Sequence, residues 1–152
     1  MSEHDNLNVV RDAYSAYRER DFAALRNGLA EDVKWYAIGS PTLIPTAGTR
    51  YGRDQVEEYF ATLEGAEEVR SLEPREFIAE GDKVVAIGDL QRRVKATGNI
   101  INSPWIHVFT LHQGKIAEFR SFYDTAVAIA ALDKQRSPVG RMSSTTLRRS
   151  FL

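Results

Sequence analysis

The stretch that most limits how this chain can fold runs from Ser103 to Asp124. Two apolar-rich runs, Trp105 to Leu111 and Ile116 to Tyr123, flank the polar link His112, Gln113, Gly114 and Lys115. Gly114 supplies the positive φ that a short hairpin loop demands, so the spacing predicts a long antiparallel hairpin. Alternation places Trp105, His107, Phe109 and Leu111 on one face and Ile106, Val108 and Thr110 on the other. Both faces are largely apolar, which marks a central pair of strands covered on both sides.

The rest of the chain fits one domain built around that pair. At 152 residues it can bury most of its apolar surface without staples, and the absence of cysteine excludes a disulfide scaffold, a thiol nucleophile and any Cys-based zinc site. The N-terminus lacks a basic region followed by an apolar run, and no apolar stretch nears the ~20 residues that span a bilayer. The expectation is a soluble cytoplasmic protein with no membrane role. The five basic residues beyond Asp133 carry +5 of a formal net charge of −1, so residues 1–133 hold −6. That body presents no basic footprint for nucleic acid. Residues 1–133 are therefore expected to form the domain and residues 134–152 a basic tail, with Phe151 and Leu152 as an apolar end that could insert into a cavity mouth or a second subunit.

Periodicity orders the elements. Leu7, Val10, Tyr14 and Tyr17 recur at helical spacing, with Asp5 or Asn6 as N-cap and an end near Arg20. Asp21 caps a short second helix carrying Phe22, Leu25 and Leu29 inward. Val33 to Ile38 reads as a strand, and Gly39 to Gly52 as a surface loop over a cavity mouth. A third helix starts at Arg53 or Asp54, with Val56, Tyr59, Phe60 and Leu63 on one side. Val69 to Ala79 is a strand in which Pro74 implies an edge or a bulge, and Val84 to Ala96 is the next. After the hairpin, Asp124 and Thr125 start a short helix, Ala126 to Leu132. Helices followed by antiparallel strands give the α+β class.

Several stretches resemble the SnoaL-like and ketosteroid-isomerase-like proteins of the NTF2-like superfamily over about residues 5–133. They are Val9 to Tyr14, Arg20 to Phe22, Leu29 to Trp35, Ala47 to Arg53, Tyr59 and Phe60, Glu80 to Asp82, His107 to Phe109, Gly114 to Ile116, and Phe122 to Thr125. The resemblance implies a cone: a curved, mostly antiparallel sheet wrapped around a long N-terminal helix, enclosing one apolar pocket and dimerising through its outer face. It also implies where catalytic groups belong. The isomerases' general-base Asp falls on Ala37, their oxyanion-hole Asp on Ile106 and their oxyanion-hole Tyr on Ala13, beside Tyr14. The cyclases' acid/base Asp falls on Ser121. Without those carboxylates, neither parent reaction is expected here.

Other residues become the candidates. Aligned on the isomerases, Val85, Ile87, Asp89, Gln91 and Arg93 face the pocket, making Asp89 a desolvated proton-transfer carboxylate. The competing reading pairs Asp89 with Arg92 or Arg93 at a solvated sheet end. His107 has a pKa suited to proton transfer, yet the same alignment turns it outward unless a bulge near Pro104 reverses the strand. It is either an acid–base group or a hydrogen-bonded core or interface histidine. Tyr14 or Tyr17 can donate to a ligand, and Tyr17, Trp35, Tyr59, Phe119, Ser121 and Tyr123 are expected to line the pocket, unless these rings fill the cone themselves. No metal-ligand spacing, phosphate loop, dinucleotide fingerprint or serine-nucleophile elbow is present, so neither a metal nor a cofactor is expected. The reading is a homodimer that binds a small apolar or aromatic molecule and acts on it as a cofactor-independent isomerase, lyase or hydrolase. The alternative is a non-catalytic ligand-binding or dimerisation module.

Overall fold

The computed structural model describes residues 2–136, so the expectations for Phe151 and Leu152 lie outside the described residues. The chain runs α1 (Glu3–Arg18), α2 (Phe22–Asn27), β1 (Leu29–Ala37), β2 (Gly48–Tyr51), α3 (Gly52–Ala66), β3 (Glu67–Glu80), β4 (Lys83–Val94), β5 (Ile100–His112), β6 (Lys115–Tyr123), α4 (Thr125–Leu132) and a 3₁₀ turn, Lys134–Arg136. Six strands form one curved mixed sheet in the order β2-β1-β6-β5-β4-β3. All neighbours are antiparallel except β1 and β6, where Trp35 lies beside Phe119 and Ala37 beside Ser121.

Local chemistry accounts for most boundaries. Helix α1 begins earlier than its Asp5 signal implied, because Ser2 caps it and Asp5 completes the capping box from the third helical position. Asp21 and Asp124 cap α2 and α4 through side-chain bonds to Ala24 N and Val127 N. The β5–β6 hairpin closes on two residues, Gln113 and Gly114, both at positive φ (50° and 77°), and His112 pairs with Lys115. That is the turn whose twist matches antiparallel strands. Pro74 sits on the edge strand β3 beside a register shift, the setting in which a strand tolerates proline. The loop before α3 holds the short strand β2, which its prolines had concealed, and Ile44 buries itself there beneath Gly39. None of residues 39–47 lines the aromatic hollow.

The core lies between α1 and α3 on one side and the concave face of the sheet on the other. On β4 the buried series is Val84, Ala86, Gly88, Leu90, Arg92 and Val94, and on β5 it is Ile101, Ser103, Trp105, His107, Phe109 and Leu111. Gly88 makes room for the indole of Trp105: a Cβ there would fall 2.6 Å from Trp105 Cζ2 and 2.1 Å from the Glu73 carbonyl oxygen. Trp105 is 1% exposed, and truncating such a ring typically costs about 3–5 kcal/mol.

Candidate functional site

The buried series on β4 and β5 reverse the facing expected from the family pattern. Asp89 is on the outer face, its side chain 56% exposed and paired with Arg75 at 2.7 Å. It is a solvated carboxylate and does not reach the hollow. His107 faces inward, 6% exposed, without any register shift near Pro104. Ile106, onto which the oxyanion-hole Asp was placed, is 43% exposed on the outer side. The placement taken from the isomerases was out by one residue on both strands, and a slip of one moves every side chain across the sheet.

Inside the cone, rings surround His107. The imidazole stacks on Trp105 with centroids 4.1 Å apart, meets the edge of Phe119 at 4.8 Å, and lies parallel to the Tyr14 ring. The Tyr14 hydroxyl and His107 Nδ1 share a hydrogen bond of 2.6 Å that joins α1 to β5. Burial, with the Arg92 charge adding to it, holds the His107 pKa down at about 3. Burial also lifts the Tyr14 phenol well above the usual phenol range. Near neutral pH the pair is therefore uncharged and contains two polar hydrogens. One is used between them, so in either tautomer one hydrogen remains to donate.

A second polar group lies on the same wall. Arg92, 6% exposed, holds Glu67 through one contact of 3.4 Å and sits over the Tyr123 ring at 5.4 Å. Its Nε is buried without a hydrogen-bond partner, whereas the Trp35 indole N–H is directed to the Tyr59 hydroxyl. Burial raises the Glu67 carboxyl above its ordinary range against the opposing pull of Arg92. Burial likewise raises the phenols of Tyr17 and Tyr59, and it pushes Tyr123 up to about 12.

These groups border an aromatic hollow of about 60 Å³ lined by Tyr14, Tyr17, Trp35, Tyr59, Phe119, His107 and Arg92 among others. Trp35 stacks on Phe119 at 3.9 Å and packs against Tyr59 at 5.6 Å. Of the expected lining residues, Tyr14, Tyr17, Trp35, Tyr59 and Phe119 are in place. Ser121 and Tyr123 share the inward face of β6 but lie outside the lining of the hollow. The rings occupy most of the cone, since an engineered cavity that takes benzene measures about 150 Å³.

The hollow adjoins larger spaces on two sides. A polar mouth of about 280 Å³ between α1 and β3 shares Tyr14, Tyr17, Val69 and Leu72 with it and adds Arg18, Arg20, Arg70, Ser71 and Glu73. An apolar groove of about 250 Å³ between α2 and α3 shares Leu25 and Phe60. Arg92 and Glu67 are the site residues that sequence reasoning did not single out. The signal for Arg92 was its alternation with Val84, Ala86, Leu90 and Val94. Glu67, at the junction of α3 and β3, gave none.

Among the described residues no group of three or more His, Asp or Glu could hold a metal ion. Among them also, no helix is long and apolar enough to cross a membrane. The sheet order, the enclosed helix and the aromatic hollow define an NTF2-like fold. The family model for the SnoaL-like domain matches residues 10–119, and the chain belongs to that family. Among solved structures it is similar to an NTF2-like protein from Burkholderia xenovorans LB400, with 28% identity, a TM-score of 0.80, and coverage of 88% of this chain and 99% of the other. A second, an NTF2-like protein of unknown function from Burkholderia pseudomallei K96243, shows 28% identity, a TM-score of 0.78 and coverage of 87% and 98%. TerC, co-crystallised with polyporic acid, has the same fold at 24% identity, with a TM-score of 0.74 and coverage of 84% and 98%. No curated protein matches the chain.

Proposed function

We propose that this SnoaL-like protein binds a small, mostly aromatic molecule, with an acceptor oxygen of that molecule inserted into the hollow. The observation that carries this reading is the 2.6 Å Tyr14–His107 hydrogen bond buried among rings, because the pair keeps one spare donor hydrogen beside an apolar wall. The oxygen end fits the hollow, and the body of the molecule lies in the adjoining mouth between α1 and β3. No carboxylate lines the hollow, and an imidazole with a pKa of about 3 is a weak base near neutral pH, so binding is favoured over proton transfer.

The second reading is a cofactor-independent isomerase, lyase or hydrolase. What favours it is Glu67, a buried carboxylate with a raised pKa that touches the hollow through Arg92. Acetophenone separates the two readings. Binding is expected to shift the ring resonances of His107 saturably in wild type and with lower affinity in Tyr14→Phe. In D2O, the binding reading expects no deuterium in the ketone's methyl group beyond the buffer rate, whereas the catalytic reading expects enzyme-dependent exchange. If neither acetophenone nor benzoate moves the His107 resonances at solubility, the ligand-binding reading is wrong.

The homodimer expectation attaches to the outer sheet face. There Ile106 and Ile78 are 43% and 50% exposed, and Tyr36 packs on Phe122 at 6.1 Å. We propose a second copy as the occupant, because this face carries both charge signs, Arg120 over Phe122 and the Asp89–Arg75 pair, and so can meet itself about a two-fold axis. Sedimentation equilibrium of wild type and Ile106→Asp tests it: a monomer in wild type would remove the proposal.

A further inference from the structure

Deepening that ligand-binding reading, and resting on it, we infer that the molecule taken up by the hollow is a carboxylate, held by Arg92 beside the Tyr14–His107 pair. Two polar hydrogens are left over at the hollow, the buried Arg92 Nε–H and the one remaining on the Tyr14–His107 pair, while the Trp35 indole N–H is directed to the Tyr59 hydroxyl. No acidic side chain lines it to accept them. A buried donor without a partner costs about 1–3 kcal/mol, so such groups in a folded protein call for an acceptor. A neutral carbonyl offers one oxygen, whereas a carboxylate offers two and satisfies donors on two sides.

Charge points the same way. Arg92 is a buried cation on the wall of the hollow, close enough to influence Tyr17, Tyr59, Tyr123 and His107. Its one carboxylate partner, Glu67, makes a single long contact of 3.4 Å, well outside the 2.7–2.9 Å of a charge-assisted bond. The planar fork of the guanidinium is thus only partly used, and a bidentate anion suits the remainder. The mouth that leads to the hollow carries Arg18, Arg20 and Arg70 against the single acid Glu73. Arg20 is drawn to Glu64 and Arg70 to Glu68, while Arg18 has no ion pair among the described residues. An anion therefore has Arg18 at the rim and, inside, a buried guanidinium whose fork is only partly used. The body of the ligand lies against Tyr14, Tyr17, Val69 and Leu72, which the hollow and the mouth share, and these suit a carboxylate on an apolar or aromatic body.

The test compares benzoate with acetophenone, which share a ring and differ in charge, using isothermal titration and the His107 resonances of the full chain. Benzoate is expected to bind at least about tenfold more tightly, as one charge-assisted contact implies. Removing both buried charges in Arg92→Met/Glu67→Gln avoids an orphaned ion. That variant should weaken benzoate at least about tenfold more than it weakens acetophenone. Glu67→Gln alone, which frees the guanidinium, should tighten benzoate, an effect that a purely structural Arg92–Glu67 pair would not produce. If acetophenone binds while benzoate does not, or if benzoate affinity ignores all these variants, the carboxylate inference is overturned and the ligand-binding reading stands. If neither compound binds, both are overturned.

Discussion

Replacing His107 by Asn should flatten the acid limb of the stability curve. In the folded protein the imidazole titrates at about 3, against 6.5 when free, because a charged ring buried among Trp105, Phe109 and Phe119 loses its hydration and faces Arg92. Lowering the folded pKa means that the unfolded chain holds the extra proton between those values. The stabilising contribution is therefore complete above about pH 6.5 and is lost progressively as pH falls toward 3. At 1.36 kcal/mol for each tenfold change in proton affinity, the whole window corresponds to about 5 kcal/mol, and the part between pH 7 and pH 4 to about 3 kcal/mol. Glu67 has the opposite sign: its raised pKa gives stability that is present below 4.5 and lost as pH rises through its folded value. It is common to both proteins and cancels in the difference. Urea denaturation of wild type and His107→Asn from pH 4 to pH 7 should give curves that converge by about 3 kcal/mol at the acid end. Parallel curves, or a wild-type His107 resonance that titrates near 6.5, would refute the reasoning.

Further consequences can be checked on the same protein. Tyr14→Phe leaves His107 Nδ1 without its 2.6 Å partner and should cost about 1–3 kcal/mol by urea denaturation, with acetophenone binding impaired. Gly88→Ala puts a methyl group into Trp105 and the Glu73 carbonyl and should destabilise by about 1–3 kcal/mol or prevent folding; a variant as stable as wild type by thermal melting would contradict the packing. Asp89→Asn breaks only the exposed pair with Arg75 and should change stability by less than about 1 kcal/mol, with benzoate and acetophenone titrations unaltered.

The architecture could be read from local chemistry because each boundary has a local cause. Asp21 and Asp124 cap helices, Gly114 turns the hairpin, and Pro74 marks an edge. Strand β2 escaped notice because four residues between Pro45 and α3 show no periodicity of their own. The site was harder. Facing on β4 and β5 was taken from a family pattern, although Asp89, Gln91 and Arg93 on one side against Val84, Ala86, Leu90 and Val94 on the other already pointed to the correct one. Composition on each parity reports burial directly, whereas an alignment out by one residue inverts it. Arg92 was overlooked for a related reason: a cation on a strand is usually solvated, and only the tertiary approach of Glu67 makes its burial tolerable. The meeting of Tyr14 with His107, 93 positions apart in the chain, depends on how α1 lies across the sheet, which no local pattern encodes.

One topological detail bears on how the molecule is made. Strand β6, last of the six in sequence, occupies an interior slot between β1 and β5 and supplies the parallel partner of β1. During synthesis the β1–β2 ribbon must therefore wait, with one flank open, until residue 123 leaves the ribosome. Nascent chains halted before that point would display a sticky strand border and be prone to clump. Closure through so distant a partner should also make refolding slow for a protein of this length.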